Sequence, residues 1–261
     1  MRFLIKPVLA LCVALEITLV FLLALGIEYS KLLAVIPLLV VVSFVSFLLI
    51  HVLVSASRVG WIEAAEEIAS RFHIPYKPLA IWISEIAMLA ALLPRGSDSK
   101  YSNIKFSYHS SLRPVVWCIS ILSVVEISVV HLAISIDWIK WSVFALSLYG
   151  VVSLFGFYRS LLINPHRRDG SMVSIRYGNR LIAAFPVEYI KAYGRCSPGD
   201  GGSITFSEGV ARVPVFSQVN TYVEMLEPVS VKDIFVGRRT VTRVEFFVDD
   251  RDAFLASLAD S

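Results

Sequence analysis

Four long apolar runs constrain this chain more than anything else in it: Val8–Ile27, Leu32–Val54, Val115–Ile136 and Trp138–Ile163. A helix needs about 20 apolar residues to cross the hydrocarbon core, because only internal hydrogen bonding satisfies its backbone there. Each run meets that length, and together they raise the hydrophobic fraction to 56%, above that of ordinary soluble domains. Tight polar turns at Glu28-Tyr29-Ser30-Lys31 and at Asp137 join the runs in pairs. The sequence therefore predicts two transmembrane helical hairpins. Arg2 and Lys6 precede the first run as in a signal peptide, but the run is long and no small-residue cleavage site closes it, so it reads as a retained span.

Basic residues orient such spans toward the cytosol. The two short turns carry Lys31 and Lys140, each beside an acidic residue. The segment between the hairpins carries Arg58, Arg71, Lys77, Arg95, Lys100, Lys105 and Arg113, and Arg159, Arg167 and Arg168 close the last run. The expectation is a multi-pass protein of the cell membrane with both termini cytoplasmic. Its parts would be a first transmembrane hairpin (1–54), a cytosolic amphipathic and interfacial segment (55–113), a second hairpin (114–163) and a cytosolic β domain (164–261).

Within the middle segment, Val59, Ile62, Ala65, Ala69 and Phe72 recur at helical spacing opposite Glu63, Glu66, Glu67 and Ser70. Membrane-surface helices have basic polar faces; this acidic one suits packing on protein. Leu79–Leu93 is apolar but short, interrupted by Glu85 and flanked by Lys77 and Arg95. That pattern fits an interfacial or bundle-packed helix better than a fifth span.

Composition changes after Asn164-Pro165. Strands are expected at Met172–Tyr177, Arg180–Phe185, Val187–Tyr193, Ser203–Phe206, Val210–Val215, Val219–Leu226 and Val241–Val248. Gly178-Asn179 supplies a hairpin turn, and Asp250 caps a final helix over Arg251–Ala259. Seven short strands and a closing helix predict a small barrel or sandwich. This order, with Ile175-Arg176-Tyr177-Gly178, Phe185-Pro186-Val187-Glu188-Tyr189-Ile190 and Val244-Glu245-Phe246-Phe247-Val248-Asp249-Asp250 followed by Phe254 and Leu258, resembles the bacterial pleckstrin-homology-like domain. The whole chain is similar to uncharacterised four-span membrane proteins of actinobacteria that carry such a domain at the C-terminus. The resemblance implies a membrane α-helical bundle of four transmembrane helices with a binding or scaffolding domain, and it brings no catalytic residues.

Ionisable groups inside the spans are costly in hydrocarbon and are the first functional candidates. Glu16 and Glu126 sit near the middles of the first and third runs, and His131 is the nearest titratable neighbour. They fit either a protonatable site or neutral hydrogen bonds that fix helix packing. In the fourth run Ser142, Ala145, Tyr149, Ser153, Gly156 and Ser160 form a small-residue seam for close helix contact, within the bundle or between copies. Arg159, Arg167 and Arg168 could touch lipid headgroups, though the run is short for that and serves equally as a topology signal.

From Asn164 onward twelve Lys plus Arg balance twelve Asp plus Glu, leaving no electrostatic footprint for nucleic acid. Cys12, Cys118 and Cys196 lack metal or redox spacing. The chain has no metalloprotease helix pair, nucleophile elbow, phosphate loop or dinucleotide fingerprint, and Ser197-Pro198-Gly199-Asp200-Gly201-Gly202 lacks the ending that cradles phosphate. No cofactor or metal is expected. The sequence reads as a non-enzymatic membrane protein that presents a binding domain to a protein partner, or to its own copies, at the bilayer. The alternative is a transport or proton-coupled component using Glu16 and Glu126.

Overall fold

The computed structural model describes residues 31–94, 104–197 and 202–259, without the side chains of 31–41 and 44. The predicted span 8–27 and Glu16 lie outside the described residues. The chain divides into two compact units, residues 1–79 and 80–261.

In the first unit, helix α1 (Lys31–Val59) ends at Gly60, whose φ of 98° no other residue type adopts readily. Helix α2 (Trp61–Phe72) follows and buries Trp61, Ile62, Ala64, Ala65 and Ile68. Polar contacts tie the two: Ser55 donates to Glu67 at 2.6 Å, and Arg71 bonds His51 at 3.2 Å. The His51 ring also packs edge-on against Phe72. The acidic helix packs on α1.

Helix α3 (Tyr76–Ala90) begins in the first unit and continues into the second. Strand β1 (Ile104–Phe106) comes next, then a single 3-10 turn and helices α4 (Arg113–Ala133) and α5 (Asp137–Ile163). Pro114 occupies the first turn of α4, where its missing N–H costs no intrahelical bond. Asp137 lies in the first turn of α5, where the helix dipole favours an acid. Strands β2 (His166–Asp169), β3 (Met172–Tyr177), β4 (Leu181–Pro186), β5 (Ile190–Arg195), β6 (Thr205–Ser207), β7 (Val210–Val213), β8 (Thr221–Asp233) and β9 (Gly237–Phe246) follow. Helix α6 (Arg251–Ala259) closes the chain, over the range its pattern predicts.

The strands form one nine-stranded mixed sheet in the order β1-β2-β3-β4-β8-β9-β7-β6, with β5 joined to β8. Strand β8 makes this possible. A bulge between Glu224 and Val229 bends it, so its first half pairs with β5 and its second half with β4, while β9 follows its other edge. The sheet wraps a core of Val173, Ile175, Leu181, Phe185, Val244 and Phe246, on which Phe254 and Leu258 of α6 are seated. Phe254 meets Phe106 and Phe246 edge-on, at 5.0 and 5.3 Å between centroids.

The expected four spans over a small seven-stranded barrel are corrected in both parts. Among the described residues two helices, Ser110–Ala133 and Asp137–Ile163, are long and apolar enough to cross a membrane. The predicted span 32–54 lies within α1, whose side chains are described only in part, and α1 is not one of the two. This helix carries His51 and Ser55 into polar contact with α2. The sheet exceeds the expected seven strands because it recruits β1 and β2 from the two sides of the helical hairpin, and it is mixed because β7 pairs in parallel with β9. The hairpin is therefore an insertion between two neighbouring strands rather than a stalk preceding the domain.

Candidate functional site

The two ends of the α4–α5 hairpin enter the sheet side by side, and buried polar groups fasten both. Phe106 pairs with His166, Lys105 with Arg167 and Ile104 with Arg168 across β1 and β2. At the entry to α4 the fully buried Tyr108 donates its hydroxyl to the Asn164 carbonyl at 2.9 Å and accepts the Gly178 N–H at 2.8 Å. Burial pushes the Tyr108 hydroxyl well above its ordinary pKa, so it stays protonated and serves as donor and acceptor. Beyond it, Asp249 accepts the N–H groups of His109 and Ser110 and the Ser110 hydroxyl. The carboxylate thus neutralises orphan donors at a helix start from a position 139 residues away in sequence.

At the exit from α5, Asn164 donates to the Ser160 carbonyl and to Asn179, and accepts from Arg176. His166 follows, 1% exposed, its ring stacked on Tyr108 at 4.3 Å between centroids. Its Nδ1 accepts the Arg176 N–H at 3.1 Å, which leaves Nε2 as the N–H that donates to the Phe247 carbonyl at 3.0 Å. The neutral tautomer satisfies both contacts. Burial lowers the His166 pKa to about 4, opposed by the Phe247 carbonyl and the Asp249 charge.

Helix α3 is bound to the same junction. Gly156 of α5 lies against its backbone: a Cβ there would fall 2.6 Å from the Met88 carbonyl oxygen. The carbonyls at the end of α3 find external donors, Arg159 Nε for Ala91 at 2.9 Å and Asn179 Nδ2 for Ala87 at 2.9 Å. Tyr149 donates to Glu85 at 2.7 Å. These contacts run in the same order along both helices, so α3 lies parallel to α5 and the Leu79–Leu93 stretch is packed against the hairpin.

The small-residue seam divides accordingly. Gly156 and Ser160 are buried beneath α3 and the β3–β4 turn, and Ser153 has a buried hydroxyl without a hydrogen-bond partner. Ser142 and Ala145 are exposed, Ser142 bonding its own helix at the Trp138 carbonyl. Of the ionisable candidates, Glu16 lies outside the described residues, and Glu126 and His131 make no contact with each other among the described ones. Glu126 is exposed and makes no hydrogen bond or ion pair among the described residues, and His131 is exposed beside Trp141. Arg159 caps α3, while Arg167 and Arg168 lie on β2, Arg167 directly opposite Lys105.

Away from its sheet end the hairpin is largely exposed. Only 11% and 6% of the apolar windows of α4 and α5 are buried, whereas the core helix of a soluble protein is buried for the most part. Trp117 stands exposed near the sheet end, and Trp138 and Trp141 near the connecting turn. Helix α4 as a whole is about 31 Å long at about 1.5 Å per residue.

A second feature lies on the β domain. Strand β9 pairs with β7 only over Arg243–Phe246, so its first half runs on past the β6–β7 turn. The notch so formed is an open cleft of about 450 Å³, lined by Ile204, Phe206, Val210, Val236 and Val241 together with Glu208 and Arg239.

Sequence reasoning passed over Tyr108, Asn164, His166, Asn179 and Asp249. A buried polar junction leaves no periodic signal, and its partners are far apart in the chain. The one available cue was the density of Asn, His and Tyr at the two boundaries of the hairpin. Comparison of the chain with protein-family models, with curated proteins and with solved structures gives no match.

Proposed function

We propose that this chain is a non-catalytic membrane protein in which the α4–α5 hairpin anchors the nine-stranded β domain at the cytosolic face of the cell membrane, where the domain binds a protein partner. The observation that carries the proposal is the double attachment of the hairpin. Both of its ends are held by buried hydrogen bonds to one sheet, so the domain is presented at a fixed height and orientation. A flexible tether would serve a diffusing enzyme domain; a rigid mount serves assembly. Arg113, Arg159, Arg167 and Arg168 gather at the sheet end of the hairpin, which supports the cytosolic side for the β domain.

The cleft beside β9 supports an extended peptide as the bound element. Its backbone edge and mixed lining, apolar at Ile204, Phe206 and Val236 and charged at Glu208 and Arg239, fit the addition of a strand. The test is purification of the full chain in mild detergent, with mass spectrometry of what co-elutes, for the natural chain and for Val236→Glu. Val236 is exposed, so the charge should spare folding. A stoichiometric partner that is lost in Val236→Glu is the expected result. No partner after crosslinking in cells, or one retained by the variant, refutes this site. An impermeant thiol reagent that reaches Glu208→Cys but not Ser135→Cys in intact cells would refute the orientation.

A further inference from the structure

Between β7 and β8 the chain reverses in a two-residue turn, Phe216-Ser217, closed by paired hydrogen bonds between Val215 and Gln218, each 3.0 Å. Both central residues have positive φ, 53° and 64°. Such turns favour Asn and Gly, because a side chain in the left-handed region collides with its own backbone. The other non-glycine residues with positive φ among those described are polar: His73 at a helix end, Glu208 in a turn beside Gly209, and Ser217 itself. Phe216 combines the unfavourable conformation with 58% exposure of an aromatic ring. A strained, exposed aromatic calls for a compensating contact.

The position of the turn identifies that contact. Val215 is buried in a cluster with Tyr108 and Leu161, and Leu112, Phe157 and Phe247 pack on the same cluster. Leu112 immediately precedes α4, and Leu161 lies in the last turn of α5. The turn is therefore held at the level where the hairpin leaves the sheet, with Pro214, Val215 and Val219 buried on its two arms. We infer that Phe216 is a membrane-inserted wedge. Its ring enters the boundary between headgroups and acyl chains beside the hairpin, and makes the β domain a third point of membrane contact.

This rests on the anchor reading, and the experiment separates the two. The natural chain is reconstituted in phosphatidylcholine–phosphatidylglycerol liposomes that carry diazirine groups on the acyl chains. After illumination, lipid adducts are mapped by mass spectrometry. Adducts on α4 around Leu122 report the anchor, and an adduct on Phe216 reports the wedge, at a depth of about 5–10 Å from the headgroup side. Phe216→Asn, which suits positive φ, should lose the adduct on this turn and keep those on α4, with no fall in melting temperature. Labelled α4 with an unlabelled Phe216 overturns the wedge and leaves the anchor standing. Unlabelled α4 overturns the anchor, and the wedge with it.

Discussion

Acidification should destabilise the β domain through one residue, His166. In the folded chain its ring is neutral, with Nδ1 accepting from Arg176 and Nε2 donating to Phe247, and burial holds its pKa near 4. In the unfolded chain the ordinary value is 6.5. Between these values the unfolded chain binds the proton and the folded chain does not, so stability falls as the pH drops from about 6.5 and levels off near 4. At 1.36 kcal/mol per pH unit the gap amounts to about 3 kcal/mol. For a domain of this size that corresponds to more than about 10 °C in melting temperature. The assay is thermal unfolding of the detergent-solubilised chain from pH 7.5 to pH 4, compared with His166→Gln. The variant loses the titrating group but retains a donor for the Phe247 carbonyl; it should be less stable at neutral pH and show a flatter curve. Exposed carboxylates held low by neighbouring cations, Glu224 beside Lys191 and Asp252 beside Arg251, weaken in acid in both chains and cancel in the comparison. Parallel curves for the two chains between pH 6.5 and 4 would refute the reasoning.

Two further substitutions test the junction directly. Gly156→Ala forces a methyl group onto the Met88 carbonyl, and should cost about 1–3 kcal/mol of stability and loosen α3, read as a lower melting temperature and faster amide exchange over residues 80–90. Asp249→Ala leaves the N–H groups of His109 and Ser110 without their acceptor and should cost about 1–2 kcal/mol, with faster exchange confined to the start of α4. In both cases unchanged exchange at the named amides would dismiss the contact as a contributor.

What the sequence made legible was whatever repeats with a fixed period. The apolar runs that became α4 and α5 and the Phe254–Leu258 face of α6 emerge from spacing alone, whereas on α2 the buried face is Trp61, Ile62, Ala64, Ala65 and Ile68, sharing only Ile62 and Ala65 with the expected one. The turn at Gly178 was legible from its residues, although β4 starts at Leu181 and the loop holds Arg180 as well. Strand β8 was cut short because Glu227-Pro228 reads as a terminator; in the sheet these residues fall at a bulge and the strand resumes at Val229. Strands β1 and β2 were invisible for another reason. Ile104–Phe106 has only three residues and His166–Asp169 is wholly polar, and they become strands only because the hairpin brings their ends together. Their pairing is a consequence of tertiary structure, which local propensity does not encode.

That dependence has a consequence for how the protein must assemble. Strand β1 can pair with β2 only after α4 and α5 have reversed the chain, so the edge of the sheet is completed by the hairpin. The converse holds as well: Asp249, near the end of the chain, accepts from the N–H groups at the start of α4, and the Phe247 carbonyl accepts the His166 N–H at the exit of α5. Each part supplies backbone partners that the other would otherwise bury unpaired, at about 1–3 kcal/mol for each orphaned group. A β domain expressed from Asn164 onward would lack β1, Tyr108 and the acceptor for its Asp249 N–H at the Ser107 carbonyl. Its core would still hold Phe254 against Phe246, but Phe106 would be missing from that cluster and the ring of His166 would lose the face covered by Tyr108. Coupling of this kind makes the hairpin part of the domain's fold, and ties the correctly formed sheet to a hairpin that has already reversed.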